Sequence, residues 1–298
     1  MKVLIIGSKG FIGQHCVAFF SKEHEVWQCD VATDYRAKNY SVIDATNSNY
    51  DAIFSANTYD LCINCSGAAN VSESVKNPLR DYHLNTLNVF RQLDAIRRYS
   101  PSCKYINLSS AAVYGNPQEL PIKEEHRLAP ISPYGRHKKM AEEICTEFYE
   151  LYNIPTLSLR IFSAYGPGLM KQLFWDLYKK FKVGGTISLY GTGEESRDFI
   201  HIEDILQAIN KTIKEAQFKG EAINVANGEE LKIKDVVELY FNHLDKEITY
   251  VFNGATRKGD PINWQADITH IKKMGYSQKV SIDKGLQGYV NWLLKEDL

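Results

Sequence analysis

The chain has 298 residues, 44% of them hydrophobic and 24% charged, which is apolar material enough for one large domain or two modest ones. Its 35 Lys and Arg against 36 Asp and Glu give a formal charge of -1, which argues against nucleic acid as the main partner, because phosphate binding needs a basic surface. No apolar run approaches the ~18 residues of a membrane helix, and the opening apolar run is too short for a signal-peptide core, so the expectation is a soluble, cytoplasmic protein with no membrane partner.

In chain order, short apolar runs predict strands at 2–6, 25–29, 42–43, 61–65, 105–108 and 156–160. Helices are expected at 11–21, 78–99 and 133–152; in the second of these Leu79, Tyr82, Leu87, Phe90, Leu93 and Ile96 recur with a period near that of a helix. Strand–helix alternation with fully apolar strands implies a parallel sheet covered on both faces, whose ligands bind at the carboxyl ends of the strands. After Ile161 the pattern loosens, with Gly166, Gly168, Gly184, Gly185, Gly191 and Gly193 as punctuation and further helices at 173–181, 202–216 and 234–241. The fold class expected is α/β: a doubly wound, Rossmann-type parallel sheet with a smaller, discontinuous C-terminal α/β lobe. The boundaries read 1–164 for the nucleotide-binding domain, with a return segment about 199–226, and 165–198 plus 227–298 for a substrate lobe. The six cysteines do not make a disulfide framework in a chain this long. Cys62 and Cys65 form a C-x-x-C on an apolar strand, where residues three apart face opposite sides, so they read as core rather than as a metal or redox site. No metal is expected.

Gly7, Gly10 and Gly13 form G-x-x-G-x-x-G between the first strand and the first helix, with Phe11 and Ile12 opening that helix. Glycines there allow close approach of a pyrophosphate, and the helix end offers free N–H groups to it. Asp30 ends the second strand, 17 residues after Gly13. A carboxylate there accepts from both adenosine-ribose hydroxyls and repels a 2′-phosphate, which favours NAD over NADP. Asp44 and Ala45, after the third strand, fit the adenine edge.

Tyr134 and Lys138 are four apart on one helical face, in Y-x-x-x-K. A phenol titrates at about 10 in water, and a base near neutrality needs about 4 kcal/mol of help, which an ammonium and a cationic nicotinamide ring would both supply. Ser110, at the end of the fifth strand, sits where a hydroxyl shares a hydrogen bond with a reacting alcohol. A glycine turn, strand-end acid, Ser, Tyr and Lys together read as a hydride-transfer site.

With these motifs the chain resembles the extended short-chain dehydrogenase/reductases, in particular the NAD-dependent nucleotide-sugar epimerase/dehydratase family, and the pattern of UDP-galactose 4-epimerases above all. The likeness runs from Gly7–Gly13 through residues 71–79, Asn85, residues 109–115 and 132–138, Arg197 and residues 224–228 to Arg257 and Asp260. It implies Tyr134 as base, Lys138 on the nicotinamide ribose, Ser110 on the sugar 4-hydroxyl, Gly67 and Asn85 beside the cofactor, and Ala111 and Ser163 in the substrate site. Arg197 and Arg257 would grip the substrate pyrophosphate, with Asp260 in the same motif as Arg257. Trp264 falls beside the sugar C2 substituent and disfavours N-acetylhexosamines, though it reads equally well as a core residue. Family members that eliminate water carry an Asp-Glu pair where this chain has Ala111 and Ala112, and a methyl group moves no proton. The implied activity is therefore a 4-epimerase working through a 4-keto sugar. The alternatives are a reductase of a nucleotide 4-keto-6-deoxy sugar and a catalytically silent cofactor binder. Relatives pair their two long helices into a homodimer, for which Phe90, Leu93, Ile144 and Phe148 are candidates.

Overall fold

A computed structural model describes residues 1–45, 47–244, 248–255 and 259–296. The six predicted runs become β1 (Lys2–Ile6), β2 (Glu25–Asp30), β3 (Tyr40–Val42), β4 (Leu61–Asn64), β5 (Lys104–Ser110) and β6 (Thr156–Ile161). With the strand Lys219–Val225 they form one seven-stranded sheet, ordered Lys219–Val225, β6, β5, β4, β1, β2, β3. Every neighbouring pair in it is parallel. The direction of winding reverses between β1 and β4, the crevice where ligands of such sheets bind.

Alternation along the strands feeds two cores. Val3 and Ile5 join Cys16, Phe20, Ile205 and Ile209 on one face, under the helices Phe11–Phe20 and Ile202–Glu215. Leu4 and Ile6 join Phe54, Val89, Leu93, Ala141 and Cys145 on the other. Each large aliphatic side chain buried this way contributes about 1.5–3 kcal/mol, and a one-residue slip would exchange the two sets, so the register is fixed by the sequence. Cys62 lies wholly inside the second core, as its apolar setting predicted. A third cluster, with Tyr165, Phe174, Leu177, Val237, Tyr240, Leu286 and Tyr289, gathers the later helices. Trp264, Ala266, Ile268 and Ile271 pack against the sheet instead.

The helix Pro133–Tyr152 has its predicted bounds because Ser132 caps it, accepting from Gly135 N at 3.1 Å, Pro133 fits the first turn, and Asn153 stops it in a left-handed conformation at φ 55°. The helix expected over 78–99 runs unbroken but is not α-helical throughout. It comprises Pro78–Tyr82, a wider π-helical turn at His83–Leu87, and Asn88–Tyr99. Hydrophobic period alone does not reveal one extra residue in a turn. The third strand begins two residues earlier than predicted, and the helices Tyr50–Ala56, Val71–Lys76, Thr269–Lys273 and Ile282–Lys295 extend the expected set. Among the described residues no helix is long and apolar enough to cross a membrane.

Candidate functional site

The carboxyl end of β1 turns sharply at Gly7, whose φ is +79° and where a Cβ would lie 2.6 Å from Ser66 N. A Cβ on Gly13 would lie 2.0 Å from Gly7 O, so glycine there lets the helix pack directly on the turn. Gly10 caps that helix without a side-chain bond, leaving first-turn N–H groups available, with half-buried Phe11 and Ile12 behind them. The buried Ser8 hydroxyl in the same turn has no protein partner. Asp30 faces this turn: Oδ2 accepts from Lys9 N at 2.8 Å and Oδ1 from Val31 N at 2.7 Å. The Lys9 ammonium is paired with Asp34. Asp44 and Ala45 follow β3, where Ala45 O accepts from Asn88 Nδ2 at 3.0 Å.

Gly67, Asn85 and Lys138 meet beyond β4. A Cβ on Gly67 would fall 2.4 Å from Asn85 Oδ1 and 3.5 Å from Lys138 Nζ. Asn85, buried in the π-helical turn, donates Nδ2 to Ala68 O at 3.0 Å, while its Oδ1 has no protein partner. A glycine cradle, uncapped helix N–H groups, a strand-end carboxylate and an orphaned amide oxygen fit a dinucleotide laid across the sheet edge.

Ser110 ends β5, with its hydroxyl accepting from Ala112 N at 3.2 Å. Tyr134 reaches towards it from the first turn of the helix Pro133–Tyr152, near enough for the serine hydroxyl to lower the phenol's pKa. The Tyr134 backbone is itself anchored, since its N–H donates to the Ser74 hydroxyl at 3.1 Å. Burial pushes the Tyr134 phenol up to about 12, against a lowering by Ser110. Burial also pulls Lys138 down to about 8, against the carboxylates of Asp81 and Glu142. Lys138 Nζ donates to Leu108 O at 2.8 Å, which fixes it at the strand end. The structure thus brings Ser110, Tyr134 and Lys138 together with Gly67 and Asn85.

Ala111 and Ala112 form the short 3-10 turn after Ser110. Ser163 starts the strand Ser163–Tyr165, which pairs with Phe199–His201, and its N–H donates to Asp198 O at 2.9 Å. Arg197 is held by its own neighbourhood: Nη1 donates to Ser196 O at 2.7 Å and Ile262 O at 3.0 Å, and the guanidinium lies 5.6 Å from the Trp264 ring centroid. Burial lowers its pKa, opposed by the charge of Asp260, which is exposed. Trp264 is buried, with Nε1 donating to Gly115 O at 3.0 Å and its ring edge-on to Phe162, so the core-packing alternative describes its contacts. Arg257 lies outside the described residues.

Two further groups, which no sequence motif marks, lie behind the site. Glu142, one turn beyond Lys138, is bound by buried Arg160 from β6 (Nη2–Oε2 2.8 Å) and by the Ser109 hydroxyl at 2.5 Å. Its spacing from Lys138 was a usable signal; the arginine's approach from another strand was not. Asp198 accepts from Asn227 N, Gly228 N and Ala266 N at 2.9–3.0 Å, tying Arg197 and Trp264 to the end of the strand Lys219–Val225.

The family model of the NAD dependent epimerase/dehydratase family matches residues 3–226. A putative UDP-glucose 4-epimerase of Methanocaldococcus jannaschii is 26% identical, over 98% of this chain and 98% of its own. Among solved structures, a UDP-N-acetylglucosamine 4-epimerase from Methanobrevibacter ruminantium M1, in complex with UDP-N-acetylmuramic acid, is 26% identical with a TM-score of 0.85, covering 99% of this chain and 98% of that one. A UDP-glucuronic acid 4-epimerase from Bacillus cereus, in complex with UDP-glucuronic acid and NAD, shares the fold at a TM-score of 0.90 and 24% identity, over 99% of this chain and 100% of that one.

Proposed function

Because this chain belongs to the NAD dependent epimerase/dehydratase family, we propose that it is a nucleotide-sugar 4-epimerase, which oxidises C4 of a nucleoside-diphosphate sugar to a ketone and returns the hydride to the opposite face. The observation that carries the reading is the convergence of Ser110, Tyr134 and Lys138 at the carboxyl edge of β5, where Lys138, one helical turn beyond Tyr134, donates to Leu108 O. NAD, when bound, supplies the hydride acceptor and a cationic ring that favours the phenolate. Tyr134 takes the proton of the 4-hydroxyl and gives it back after the ketone has turned over, while Ser110 shares the hydrogen bond and orients the alcohol. Lys138 holds the nicotinamide ribose, with Gly67 and Asn85 lining the same wall. Gly7, Gly10 and Gly13 receive the dinucleotide phosphates, and Asp30 takes the adenosine ribose, which excludes a 2′-phosphate. Ala111 and Ala112 provide no acid or base for eliminating water.

The domain 1–164 with its return segment about 199–226 carries the cofactor in this reading, and 165–198 with 227–298 the nucleotide sugar, a UDP-sugar by the names of the relatives. Arg197 and Arg257 supply guanidinium pairs for its pyrophosphate. The protein works in the cytoplasm as a homodimer. Of the four residues named for that interface, Leu93 and Phe148 are buried within the chain, which leaves exposed Phe90 and half-buried Ile144 to meet a second copy.

The test is to denature the purified protein, identify the nucleotide it releases, and follow a panel of UDP-, dTDP-, GDP- and CDP-sugars by proton NMR. Near-stoichiometric NAD and interconversion of C4 epimers support the reading; a protein without nucleotide that consumes NADH with a keto sugar replaces it with a reductase. Equal turnover of UDP-N-acetylglucosamine and UDP-glucose removes Trp264 from any part in sugar choice.

A further inference from the structure

The glycine turn carries a single charged residue: within Gly7–Gly13 it is Lys9. Its backbone and its side chain address two different carboxylates. The Lys9 N–H donates to Asp30 Oδ2 at 2.8 Å. The ammonium instead pairs with Asp34, in the loop that joins β2 to β3. Asp34 is a fixed acceptor and not a loose surface charge. Its Oδ1 accepts from Arg36 N at 2.9 Å and Ala37 N at 3.1 Å, which folds the loop around it and leaves Oδ2 for the ammonium. From β3 the Tyr40 ring closes another side, its centroid 5.2 Å from Lys9 Nζ and its hydroxyl donating to Ala32 O. Three elements thus hold one cation, whose side chain is 35% exposed against 26% for Asp34.

Where Lys9 starts decides what this grip can do. Asp30 is the carboxylate assigned to the adenosine ribose. A 2′-phosphate on that ribose would bring about −1.5 to −2 charges to its side at pH 7. A lysine bonded through its own amide to that carboxylate is well placed to meet such a phosphate, and an ammonium is a good point-charge partner for one. With Lys9 free, its charge would cancel that of Asp30, and the phosphate would find a cation as well as an anion. With Asp34 present the cation is already matched, and the negative charge of Asp30 stands unopposed. The other cations of the loop, Arg36 and Lys38, are exposed.

We propose that Asp34 is a specificity-determining residue: by holding Lys9 against the loop and Tyr40 it withholds that ammonium from the 2′ position of the adenosine ribose, so that the glycine turn takes NAD and refuses NADP. The inference rests on the placement of the dinucleotide along Gly7, Gly10, Gly13 and Asp30 made above. Asp30 repels the phosphate, and Asp34 removes the charge that would offset the repulsion. An ion pair that merely stitched the loop would alter the binding of both nucleotides alike and leave their ratio unmoved.

The experiment is Asp34→Asn, which keeps Oδ1 as acceptor for the Arg36 and Ala37 N–H groups and removes the charge. Wild-type and variant holoenzymes are incubated with a mixture of NAD and NADP until the bound composition is constant, freed of unbound nucleotide by gel filtration, and denatured. Chromatography of what is released gives the ratio of bound NADP to bound NAD. That ratio should rise by about tenfold in Asp34→Asn, the factor that a hydrogen bond to a charged group supplies. In Asp34→Asn combined with Lys9→Met it should return close to the wild-type value, because the released cation is gone. Asp34→Ser, with a hydroxyl acceptor in place, serves for the same reading should the asparagine variant fail to fold. An unchanged ratio in the single variant, or a double variant with a ratio as high as the single one, overturns the proposal. A wild-type protein that retains neither nucleotide overturns the cofactor reading and the inference with it, whereas retained NAD with an unmoved ratio overturns the inference alone.

Discussion

Replacing Arg160 by Met tests whether the ion pair behind the site is a structural necessity. Its guanidinium makes three contacts to Glu142, at 3.1, 3.2 and 2.8 Å, and donates to the Tyr114 hydroxyl at 2.7 Å and Glu124 O at 2.8 Å. Both partners are nearly inaccessible, with side chains 6% and 8% exposed. Methionine fills most of the volume but leaves the Glu142 carboxylate, among the described residues, with the Ser109 hydroxyl as its side-chain donor, a buried charge without its ion-pair partner. Breaking one side of such a pair costs about 3–5 kcal/mol, whereas replacing both partners by apolar groups is often close to neutral. With a urea slope of about 3 kcal/mol/M, the single variant's midpoint should fall by roughly 1–2 M. Arg160→Met combined with Glu142→Leu should recover most of that loss, and the cycle gives the coupling directly. A single variant costing less than about 1 kcal/mol would show that water or relaxation satisfies Glu142, and a double variant as unstable as the sum of the singles would falsify the pairing argument.

Other consequences can be measured on the same protein. Tyr134→Phe should cut epimerisation by on the order of a thousandfold, as loss of a general base does, while bound NAD stays near stoichiometric; undiminished turnover would dispose of the tyrosine as base. Gly13→Ala places a methyl group 2.0 Å from Gly7 O, so calorimetry should show NAD binding at least about tenfold weaker, and an unchanged affinity would mean the turn does not hold the dinucleotide as described. His201 is held down to about 4 by burial, with His15 adding to the effect against Asp204. A depressed pKa gives a contribution that is complete above the unfolded value of about 6.5 and lost as pH falls towards 4, up to about 3 kcal/mol. His201→Gln should flatten the fall in urea midpoint across that window; a slope as steep as wild type would sink the assignment.

The strands were readable because a two-sided parallel sheet leaves continuous apolar runs, and the helix Pro133–Tyr152 because Ser132, Pro133 and Asn153 mark its ends locally. The helix Ile282–Lys295 carries comparable signals, a Ser281 cap and periodic Leu286, Tyr289, Val290 and Leu293. The π-helical turn is another matter. It positions Asn85, yet one additional residue in a turn barely disturbs the apolar period around it. Gly7, Ser110, Tyr134 and Lys138 were legible because each stands at a strand or helix end. Asp81 with His137 and Glu142 with Arg160 were not, since each pair joins residues on different elements, and sequence spacing fixes partners only within one helix or one turn.

Burial constrains how Tyr134 can act. With the phenol pushed up to about 12, forming the phenolate at pH 7.5 costs about 6 kcal/mol. A single positive charge brought within about 4 Å, at an effective dielectric constant of about 20, offsets about 4 of these. Ser110 already acts against burial in lowering the phenol. A preformed phenolate would therefore remain a minor species even with a cation beside it. The proton of the 4-hydroxyl is best moved as the C4 hydride departs, when the alcohol becomes a far stronger acid than in its ground state, and not before. A largely buried phenol then suits both directions of an epimerisation: it is a weak enough acid to stay protonated while the ketone turns, and strong enough a base to take the proton as the hydride leaves.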